Sequence, residues 1–544
     1  MDNPSDLFRR LEQLNAIGAA LSKERDTNRL LESILIAAKT ITHADGGTLY
    51  RMTEDGRALR FEILRTDSLK IAMGGTTGNA INFPNLPLAN DKGEPNDSMV
   101  AAHAAIHDKT VNIAEAYTEA GFDFSGTRSF DARTGYRSQS FLTVPMKNHE
   151  AEIIGVLQLI NAVDPTTHKV TTFSSADQGL AESLASQAAI ALTNRLLITQ
   201  LEELFEAFIN LINLAIDEKS PYTGGHCQRV PALTMMLAEA VDSTVEGPLA
   251  SFKMDERDRY ELKIAGLLHD CGKVTTPVHV VDKATKLQTL FDRVHLIDTR
   301  FEVLKRDAEI HALRQQLALR ETADAAADER IQQQCQDEIR TLDEERAFLR
   351  KANVGGEAMK EADQQRVRDI GSRHKWRDVE GAEKDFLTAD EADNLAIRAG
   401  TLTQKEREII NHHIVATIKM LEQLPWPKHL TRVPEYAGGH HERMDGKGYP
   451  KGLTREQMSW QARMMGIADI FEALTARDRP YKPGMKLSQA MGIMCNFKQN
   501  GHIDPDLFDV FVRERVYLKY AQQFLDPQQI DEVADLPGTP DGKA

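Results

Sequence analysis

The chain has 544 residues, of which 41% are hydrophobic and 27% charged, and its formal net charge is -16. The length excludes a single ordinary domain, and the composition excludes a disordered or fibrous protein. The acidic balance excludes a general attraction for nucleic acid or anionic lipid, so an anionic substrate would need a local cluster of cations or metal ions.

The cysteines and the hydropathy pattern bear on location. The four cysteines form no Cys-x-x-Cys pair, which argues against a disulfide framework or a zinc ribbon and favours a reducing compartment. The N-terminal residues are unlike a signal peptide, and no run approaches the roughly 20 apolar residues that span a bilayer. We therefore expect a cytoplasmic protein without a membrane span and without a nucleic-acid partner.

The first predicted domain covers residues 1–195 and mixes helices with strands. An apolar helical face recurs at three- and four-residue spacing within residues 5–41. A closing helix follows the strands, and the set indicates an α+β sensor domain. The predicted strands, rich in β-branched and apolar residues, are 48–52, 59–64, 140–146 and 153–161.

The segment from Phe124 to Met146, followed by residues 155–161, resembles a GAF domain. Asp131 to Tyr136 reads Asp-x-x-Thr-Gly-Tyr, which is similar to the GAF domains of cyclic-nucleotide phosphodiesterases. The resemblance implies a sensor domain with a small ligand such as a cyclic nucleotide. A GAF domain that serves only for dimerisation is the alternative, because a fold does not fix a function.

A long helix is predicted over residues 175–216. Ser175 with Gln178 is a capping-box pattern, and neither Gly nor Pro occurs between Leu180 and Ile216. A helix of this length commonly pairs with a copy of itself, so we interpret it as a signalling helix linker that supports a homodimer. A helix that packs wholly within its own chain is the alternative.

Residues 287–400 have a different composition and are predicted to be an insertion. Residues 291–321 and 323–350 are rich in Arg, Glu, Gln, Ala and Leu and contain neither Pro nor Gly. This pattern predicts a helical hairpin, projecting as a coiled coil, with a protein partner as one role for it. The tail, residues 537–544, is expected to be disordered.

The residues that carry chemistry include an apolar helical run that ends in adjacent His269 and Asp270, with Lys273 one turn later. An imidazole beside a carboxylate suits Fe, Mn or another divalent ion, although a lone pair of this kind is more often a buried histidine bonded to aspartate. Five imidazoles and two carboxylates are enough for two octahedral ions with positions left for water and substrate. The other candidate ligands are His226, His413 with its neighbour His412, His440, His441 and Asp469.

These residues resemble the HD-GYP family of the HD superfamily, whose name reflects a motif found here as Gly448-Tyr449-Pro450. The resemblance covers residues 205–286 and 401–530, the two parts of an all-α domain that the insertion divides. It implies two divalent metal ions, Fe or Mn, with a third ion near Asp217 left open. The implied metal ligands are His226, His269, Asp270, His413, His440, His441 and Asp469.

The resemblance also implies roles in catalysis. Asp270 and Lys273 would be catalytic, and the implied substrate-binding residues are Lys273, Tyr449, Arg479 and Lys482. The implied activity is hydrolysis of cyclic di-GMP to pGpG, with further cleavage to GMP left open, under control of the GAF sensor. The alternatives are another cyclic dinucleotide such as cyclic GMP-AMP, an iron oxygenase, and a non-catalytic scaffold that docks onto cyclic-di-GMP synthases.

Two features depart from the family pattern. His269 and His413 are 144 residues apart (413 − 269), whereas relatives need only a short connection. The family's His-Pro-x-x-Gly pattern stands here as His413-Ile-Val-Ala-Thr417, so the proline and the glycine are missing. The choice between His412 and His413 as the ligand therefore rests on the register of the helix that follows.

Overall fold

The computed structural model describes residues 4–24, 26–90, 92–219, 225–319, 325–356, 358–477 and 484–533. The chain divides into two compact units, one up to Phe205 and one from Glu206 onward. Arg479, Lys482 and the tail 537–544, about which the sequence made predictions, lie outside the described residues. None of the helices in the described part of the chain combines the length and the apolar character that crossing a bilayer requires.

The first unit is an antiparallel sheet with helices on both faces. The strands lie in the order β3-β2-β1-β7-β6-β5, with β4 paired to β2 and β8 paired to β7. Its elements are α1 (Pro4–Leu21), α2 (Thr27–Thr42), β1 (Ala44–Met52), β2 (Ala58–Thr66), β3 (Ile71–Gly74), β4 (Leu86–Pro87), α3 (Val100–His107), β5 (Val111–Ile113), α4 (Ser125–Thr134), β6 (Phe141–Lys147), β7 (Ile153–Val163), β8 (Val170–Thr171) and the beginning of α5 (Ser175–Lys219).

The two faces of the sheet follow from the alternation of side chains along β1 and β7. Leu49 and Leu157 lie opposite each other and pack into a core with α1, α2 and α5. Tyr50 and Val156, one residue along each strand, pack into a second cluster that contains Ala101 of α3. This period of two is what a sheet covered on both faces requires. The predicted α+β sensor fold is confirmed.

Helix α5 begins at Ser175 and is 45 residues long. The residues that cap it are not the predicted pair Ser175 and Gln178. Instead, the backbone N–H of Ser174 donates to Oδ2 of Asp177 at 2.9 Å, and that of Asp177 donates to Oγ of Ser174 at 3.1 Å. The prediction was wrong by one residue because the short Asp side chain, three positions after a serine, closes the same reciprocal box. Exposed apolar side chains follow α5 at three- and four-residue spacing: Leu197, Leu201, Leu204, Phe208 and Leu211.

The second unit is helical apart from one short hairpin among its described residues. Helices α6, α7, α13, α14 and α15 pack against one another. Three short 3-10 turns lie at Cys271–Thr275, Arg455–Gln457 and Pro527–Gln529. The other elements are α6 (His226–Asp242), α7 (Glu256–Leu268), α8 (Val278–Val281), α9 (Val294–Leu319), α10 (Ala325–Asn353), α11 (Glu361–Arg373), β9 (Lys375–Arg377), β10 (Glu383–Asp385), α12 (Ala389–Leu395), α13 (Gln404–Leu421), α14 (Val433–Gly438), α15 (Trp460–Thr475), α16 (Leu487–Gln499), α17 (Pro505–Arg513) and α18 (Val516–Phe524).

The insertion is more than the predicted helical hairpin. Helices α9 and α10 lie side by side, and Arg346 of α10 pairs with Asp298 of α9 at 3.1 Å. Helices α11 and α12 and the strand pair β9–β10 close a separate hydrophobic core, in which the rings of Phe301 and Phe386 are 4.5 Å apart. The insertion therefore has a hydrophobic core of its own within the second unit.

The apolar positions of the hairpin do not share one environment. Leu342 and Leu349 of α10 are buried in the insertion's core. Ile310, Leu313 and Leu317 of α9 are 44%, 58% and 58% exposed. The difference arises because α11 and α12 cover only the part of the hairpin near the core. A protein partner for the exposed part stays a prediction.

Candidate metal centre

Five helices of the second unit bring the seven predicted metal ligands together. His226 is the first residue of α6, and Asp469 lies within α15. His269 and Asp270 follow the last residue of α7, where the helix gives way to a 3-10 turn. The ligands converge because these helices pack against one another. The remaining three are His413 in α13 and His440 and His441, which follow α14.

One group of ligand atoms forms around His226, His269 and Asp270, all within 4.8 Å of one another. Nε2 of His226 lies 3.1 Å from Oδ2 of Asp270 and 3.4 Å from Nε2 of His269. Oδ1 of Asp469 joins the group at 3.3 Å from Nε2 of His226. Donor atoms about 3 Å apart surround a point that a single ion, with bonds of about 2.0–2.2 Å, can occupy.

A second group forms around His413, His440 and His441, again with ligand atoms within 4.8 Å. Nε2 of His413 lies 3.3 Å from Nε2 of His441. Asp270 reaches this group as well, because its Oδ1 lies 3.3 Å from Nε2 of His413 while its Oδ2 faces His226. A carboxylate with one oxygen toward each group has the arrangement of a ligand that bridges two metal ions.

Backbone carbonyls orient three of the imidazoles. In each, Nδ1 donates a hydrogen bond to the carbonyl three residues earlier, which leaves the lone pair on Nε2 directed into the centre. Nε2 of His440 and Oδ1 of Asp270 are buried and make no hydrogen bond among the described residues. A buried polar atom without a partner is costly, so these two atoms fit a bound cation. The three pairs are His269 with Gly266 at 2.6 Å, His413 with Ile410 at 2.5 Å and His440 with Ala437 at 2.6 Å.

Glu472 holds the fourth imidazole and was missed by the sequence analysis. Its Oε2 lies 2.5 Å from Nδ1 of His226, and its Oε1 accepts a hydrogen bond from Nε of Arg229 at 2.8 Å. Burial opposes ionisation of this carboxyl, but the charges of His226 and Arg229 lower its pKa to about 2. A carboxylate on the outer nitrogen fixes the ring of a metal-binding histidine and increases its basicity. The available signal was spacing, since Glu472 follows Asp469 by three residues on α15.

The pKa of His226 in the first group differs from the pKa values of His440 and His441 in the second group. Burial lowers the pKa of His441 to about 4 and holds that of His440 well below its usual value. Burial also disfavours the charged form of His226, but Glu472 and the neighbouring aspartates raise the pKa of His226 well above its usual value. Because a metal binds neutral imidazole, His440 and His441 are ready for an ion at neutral pH, whereas binding at His226 would release a proton.

Lys273 supplies a cation beside the bridging carboxylate. Its Nζ lies 2.5 Å from Oδ2 of Asp270, and its side chain is 20% exposed. Burial disfavours the charged form of Lys273, but Asp270 and Asp469 raise its pKa. In the same way, burial opposes ionisation of Asp270, and Lys273 with His269 holds the pKa of Asp270 well below its usual range. The centre therefore contains an ammonium group that stays charged.

The loop that carries Tyr449 lies against the second group. The ring of Tyr449 stacks on that of His441, with centroids 4.8 Å apart and an angle of 25°. The carboxylate of Glu442, the residue after His441, accepts hydrogen bonds from the backbone N–H groups of Lys451 at 2.7 Å and Leu453 at 2.8 Å. Glu442 is buried, so this clamp ties the loop to the residue next to a predicted ligand.

The missing family glycine has a structural counterpart in Thr417. Its Oγ1 accepts a hydrogen bond from the backbone N–H of Gly272 at 2.9 Å. A Cβ on Gly272 would lie 2.0 Å from the carbonyl oxygen of His413 and 2.5 Å from the backbone N of Thr417. The turn after Asp270 and helix α13 therefore pack backbone to backbone, and this contact places His413 beside Asp270.

The remaining predicted residues have separate outcomes. Of the two neighbouring candidates, His412 is exposed and His413 is buried in the centre. The charge of Asp217 adds to the effect of burial, which raises the pKa of the Cys227 thiol to about 12. A third metal near Asp217 stays a prediction. Arg479 and Lys482 lie outside the described residues.

Comparison with known families agrees with the division of the chain into two units. Residues 26–192 match the GAF domain family, and residues 223–344 and 389–507 each match an HD domain family. The two HD matches together contain all seven predicted metal ligands. The chain thus contains a GAF domain followed by HD-domain sequence, as the resemblance implied.

Curated relatives align with part of this chain. A cyclic di-GMP phosphodiesterase of Pseudomonas aeruginosa is 38% identical over 121 residues, which are 22% of this chain and 28% of that protein. A 3'3'-cGAMP-specific phosphodiesterase of Vibrio cholerae is 47% identical over 81 residues, or 15% of this chain and 19% of that protein. The chain thus matches less than a third of the length of these relatives. Among solved structures, a GAF domain from an Acinetobacter phosphoenolpyruvate-protein phosphotransferase is 16% identical, with a TM-score of 0.26, over 37% of this chain and 99% of that one.

Proposed function

We propose that this chain, which joins a GAF domain to HD-domain sequence with a Gly-Tyr-Pro loop, is a metal-dependent phosphodiesterase that hydrolyses cyclic di-GMP. The observation that carries the proposal is the pair of three-ligand groups joined by the two carboxylate oxygens of Asp270. The names of the relatives support the same chemistry, since several of them are named phosphodiesterases for cyclic di-GMP.

The residues of the chain divide the work as follows. When bound, two divalent ions, Fe or Mn in our proposal, supply Lewis-acid activation of water and of the phosphoryl oxygens. Asp270 keeps the two ligand groups in register, and the ammonium of Lys273 neutralises charge that builds on the phosphoryl oxygens as the phosphodiester opens. The ring of Tyr449, stacked on His441, offers a flat wall to a nucleotide. Arg479 and Lys482 stay predicted substrate-binding cations.

The reaction is one hydrolysis for each bond that opens. Water adds to phosphorus, the bond from phosphorus to the 3′-oxygen breaks, and that oxygen leaves with a proton. One such step converts cyclic di-GMP to pGpG, and a second hydrolysis of the linear product gives GMP. No oxidant is consumed, which separates this proposal from the iron oxygenase considered above.

A second candidate substrate is 3'3'-cyclic GMP-AMP. It is favoured by the relative from Vibrio cholerae that is named specific for this dinucleotide and is 47% identical over 81 residues. The two substrates share the phosphodiester and differ in one base. Discrimination between them therefore depends on contacts to a base, not on the ligand groups around Asp270.

Regulation is part of the proposal. The GAF domain would bind a small ligand such as a cyclic nucleotide and control the phosphodiesterase. The exposed leucines of α5, whose three- and four-residue spacing suits a coiled coil, support a homodimer. A cytoplasmic location stays a prediction.

The test is an anaerobic assay of the full chain, loaded with Fe(II) or Mn(II), against cyclic di-GMP and 3'3'-cyclic GMP-AMP. The chain offers a matched pair of variants in adjacent residues, because His413 is buried in the centre and His412 is exposed. We expect His413→Ala to abolish formation of the linear dinucleotide and His412→Ala to retain it.

Each alternative predicts a different result, with the oxygenase tested in a parallel assay under air and the scaffold in a binding assay. Turnover of neither dinucleotide with either metal contradicts the proposal. Oxygen consumption without cleavage would identify an oxygenase. Binding to cyclic-di-GMP synthases that survives His413→Ala, without hydrolysis by the unaltered chain, would identify a scaffold.

A further inference from the structure

Helix α3 of the first unit carries two histidines that no part of the proposed reaction uses. His103 and His107 are four residues apart and therefore lie on the same face of the helix. Asp97, in the segment that precedes α3, lies beside them. The three residues, called here the α3 cluster, bring together two imidazoles and one carboxylate.

The ligand atoms of the α3 cluster lie close together. Oδ1 of Asp97 is 2.5 Å from Nε2 of His107 and 3.4 Å from Nδ1 of His103. The two imidazole rings have centroids 4.4 Å apart, and all three ligand atoms lie within 4.8 Å of one another. These separations are about those of three ligands that share one ion with bonds of about 2.0–2.2 Å.

A simple ion pair does not account for the whole cluster. It explains the contact between Asp97 and His107, which any exposed histidine and aspartate can make. It explains His103 less well, because the buried Nδ1 of His103 lies 3.4 Å from Oδ1 of Asp97 and makes no well-oriented hydrogen bond among the described residues. Phe122 packs edge-on against the His103 ring, with centroids 5.2 Å apart, and so limits its rotation. Nδ1 of His103 is thus held facing the carboxylate of Asp97.

The other side of α3 is fixed to the sheet. Ala101, Ala104 and Ala105 are buried in the core on that face, so the helix is anchored while its histidines face outward. The side chains of Asp97, His103 and His107 are 51%, 29% and 41% exposed. Three protein ligands on one side of an ion with solvent on the other leave open positions for water or a small ligand.

We propose that Asp97, His103 and His107 bind one divalent transition-metal ion and make the GAF domain a metal-binding sensor. Two imidazoles and a carboxylate suit Zn(II), Fe(II) or Ni(II), whereas Mg(II) and Ca(II) prefer sites built from oxygen alone. The open positions face solvent, so the ion is accessible to exchange and to small ligands. Binding of an ion here requires neither the metal centre in the second unit nor its activity.

The test counts bound zinc in the full chain. The protein is stripped of metal, reconstituted with excess Zn(II), freed of unbound ions and analysed for zinc per chain by mass spectrometry. We expect the variant with both His103→Ala and His107→Ala to hold about one zinc fewer than the unaltered chain, because the remaining carboxylate alone binds weakly. His149→Ala, a change of an exposed histidine in the turn between β6 and β7, is the matched control and should hold the full number.

Asp97→Ala keeps the result decisive if the histidine variant fails to fold. Asp97 is half exposed in a segment outside the helix, so its removal leaves the alanine anchor of α3 in place. We expect Asp97→Ala alone to hold about one zinc fewer than the unaltered chain. We also expect the double variant Asp97→Ala with Asp270→Ala to hold about one zinc fewer than Asp270→Ala alone. An unchanged count in Asp97→Ala overturns the proposal, as does an equal loss in His149→Ala.

Discussion

The two clusters of imidazole and carboxylate, one in each unit, differ in what surrounds their ligand atoms. Around Asp270 the side chains are almost fully buried, three imidazoles donate to backbone carbonyls and a fourth is held by Glu472. In the α3 cluster the side chains of Asp97 and His107 are 51% and 41% exposed, and Phe122 packs against the ring of His103. The first arrangement suits ions held in fixed positions, and the second suits an ion that exchanges with solution.

The largest expected effect comes from removing the carboxylate that both buried groups share. Asp270→Ala deletes one ligand from each group and leaves the charge of Lys273 unpaired. We expect the rate of hydrolysis to fall to background. This loss is larger than the roughly 10–100-fold decrease expected when a residue that supports a metal ligand is changed. Assays of dinucleotide cleavage and of bound metal check this, with Asp307→Ala, an exposed change in α9, as the control. Full metal content in Asp270→Ala would contradict the bridging role.

A second prediction tests whether backbone packing places His413. Gly272→Ala would put a Cβ 2.0 Å from the carbonyl oxygen of His413. We expect a loss of about 2–4 kcal/mol in the free energy of unfolding, because neither backbone can give way. Gly492→Ala in α16 has no atom within 4 Å and should be neutral or stabilising, by up to about 1 kcal/mol. Chemical denaturation of both variants gives the comparison, and equal stabilities would show that the close contact is not tight.

The support of His226 can be weakened without touching a ligand. Glu472→Gln keeps the shape of the side chain and removes its charge. We expect metal affinity or turnover to fall by about 10–100-fold, as for other carboxylates behind metal-binding histidines. Glu456→Gln alters an exposed glutamate of the same unit and should leave both quantities unchanged. If the two variants behave alike in a metal titration, Glu472 has no role in the centre.

The difference in exposure should also make the two clusters release metal at different rates. When the zinc-loaded chain is mixed with a coloured chelator, we expect a fast phase from the α3 cluster and a slow phase from the buried ions. Asp97→Ala should lack the fast phase and keep the slow one. The absorbance of the chelator complex measures both phases. A single phase in the unaltered chain and in Asp97→Ala would contradict the distinction between an exchanging ion and a fixed ion.

The smallest effect concerns a buried cation outside both clusters. Lys286 is the last residue before the insertion, and it donates to the carbonyl oxygens of Leu395 and Ile397, whereas Lys273 faces a carboxylate. Burial lowers the pKa of Lys286 from 10.5 to about 8. The unfolded chain therefore holds this proton more tightly, so the penalty is complete below pH 8 and fades as pH rises toward 10.5. We expect the stability of the unaltered chain, relative to Lys286→Met, to rise over this range. Denaturation at a series of pH values measures it, and a flat difference contradicts it.

The sequence predicted the candidate metal ligands better than the residues that hold those ligands in place. The ligands are recognisable because each stands in a local pattern, such as the adjacent pair His269 and Asp270 after an apolar run. Glu472 has no such pattern, since its role depends on a contact with His226, 246 residues away. Thr417 was visible only as a departure from the family pattern, because its bond to Gly272 joins two distant segments.

The same physical limit explains the differences in the fold. The long helices of the insertion were predicted from their composition, but its core was not, because Phe301 and Phe386 meet across 85 residues (386 − 301) without a shared period. Strands β9 and β10 have three residues each, too short for an alternation to register. His103 and His107 had the spacing of a helical pair, yet without Asp97 beside them the pattern indicated nothing.

We propose above all that the two ligand groups joined by Asp270 would each hold a divalent ion and that both are needed to cleave a cyclic dinucleotide. The most direct measurement is the initial rate of pGpG formation as Mn(II) is added in steps to the metal-free full chain carrying Asp97→Ala, without oxygen. The account predicts little activity at one equivalent and a rise to a plateau near two. Full activity at one equivalent, or none at any metal concentration, would contradict it.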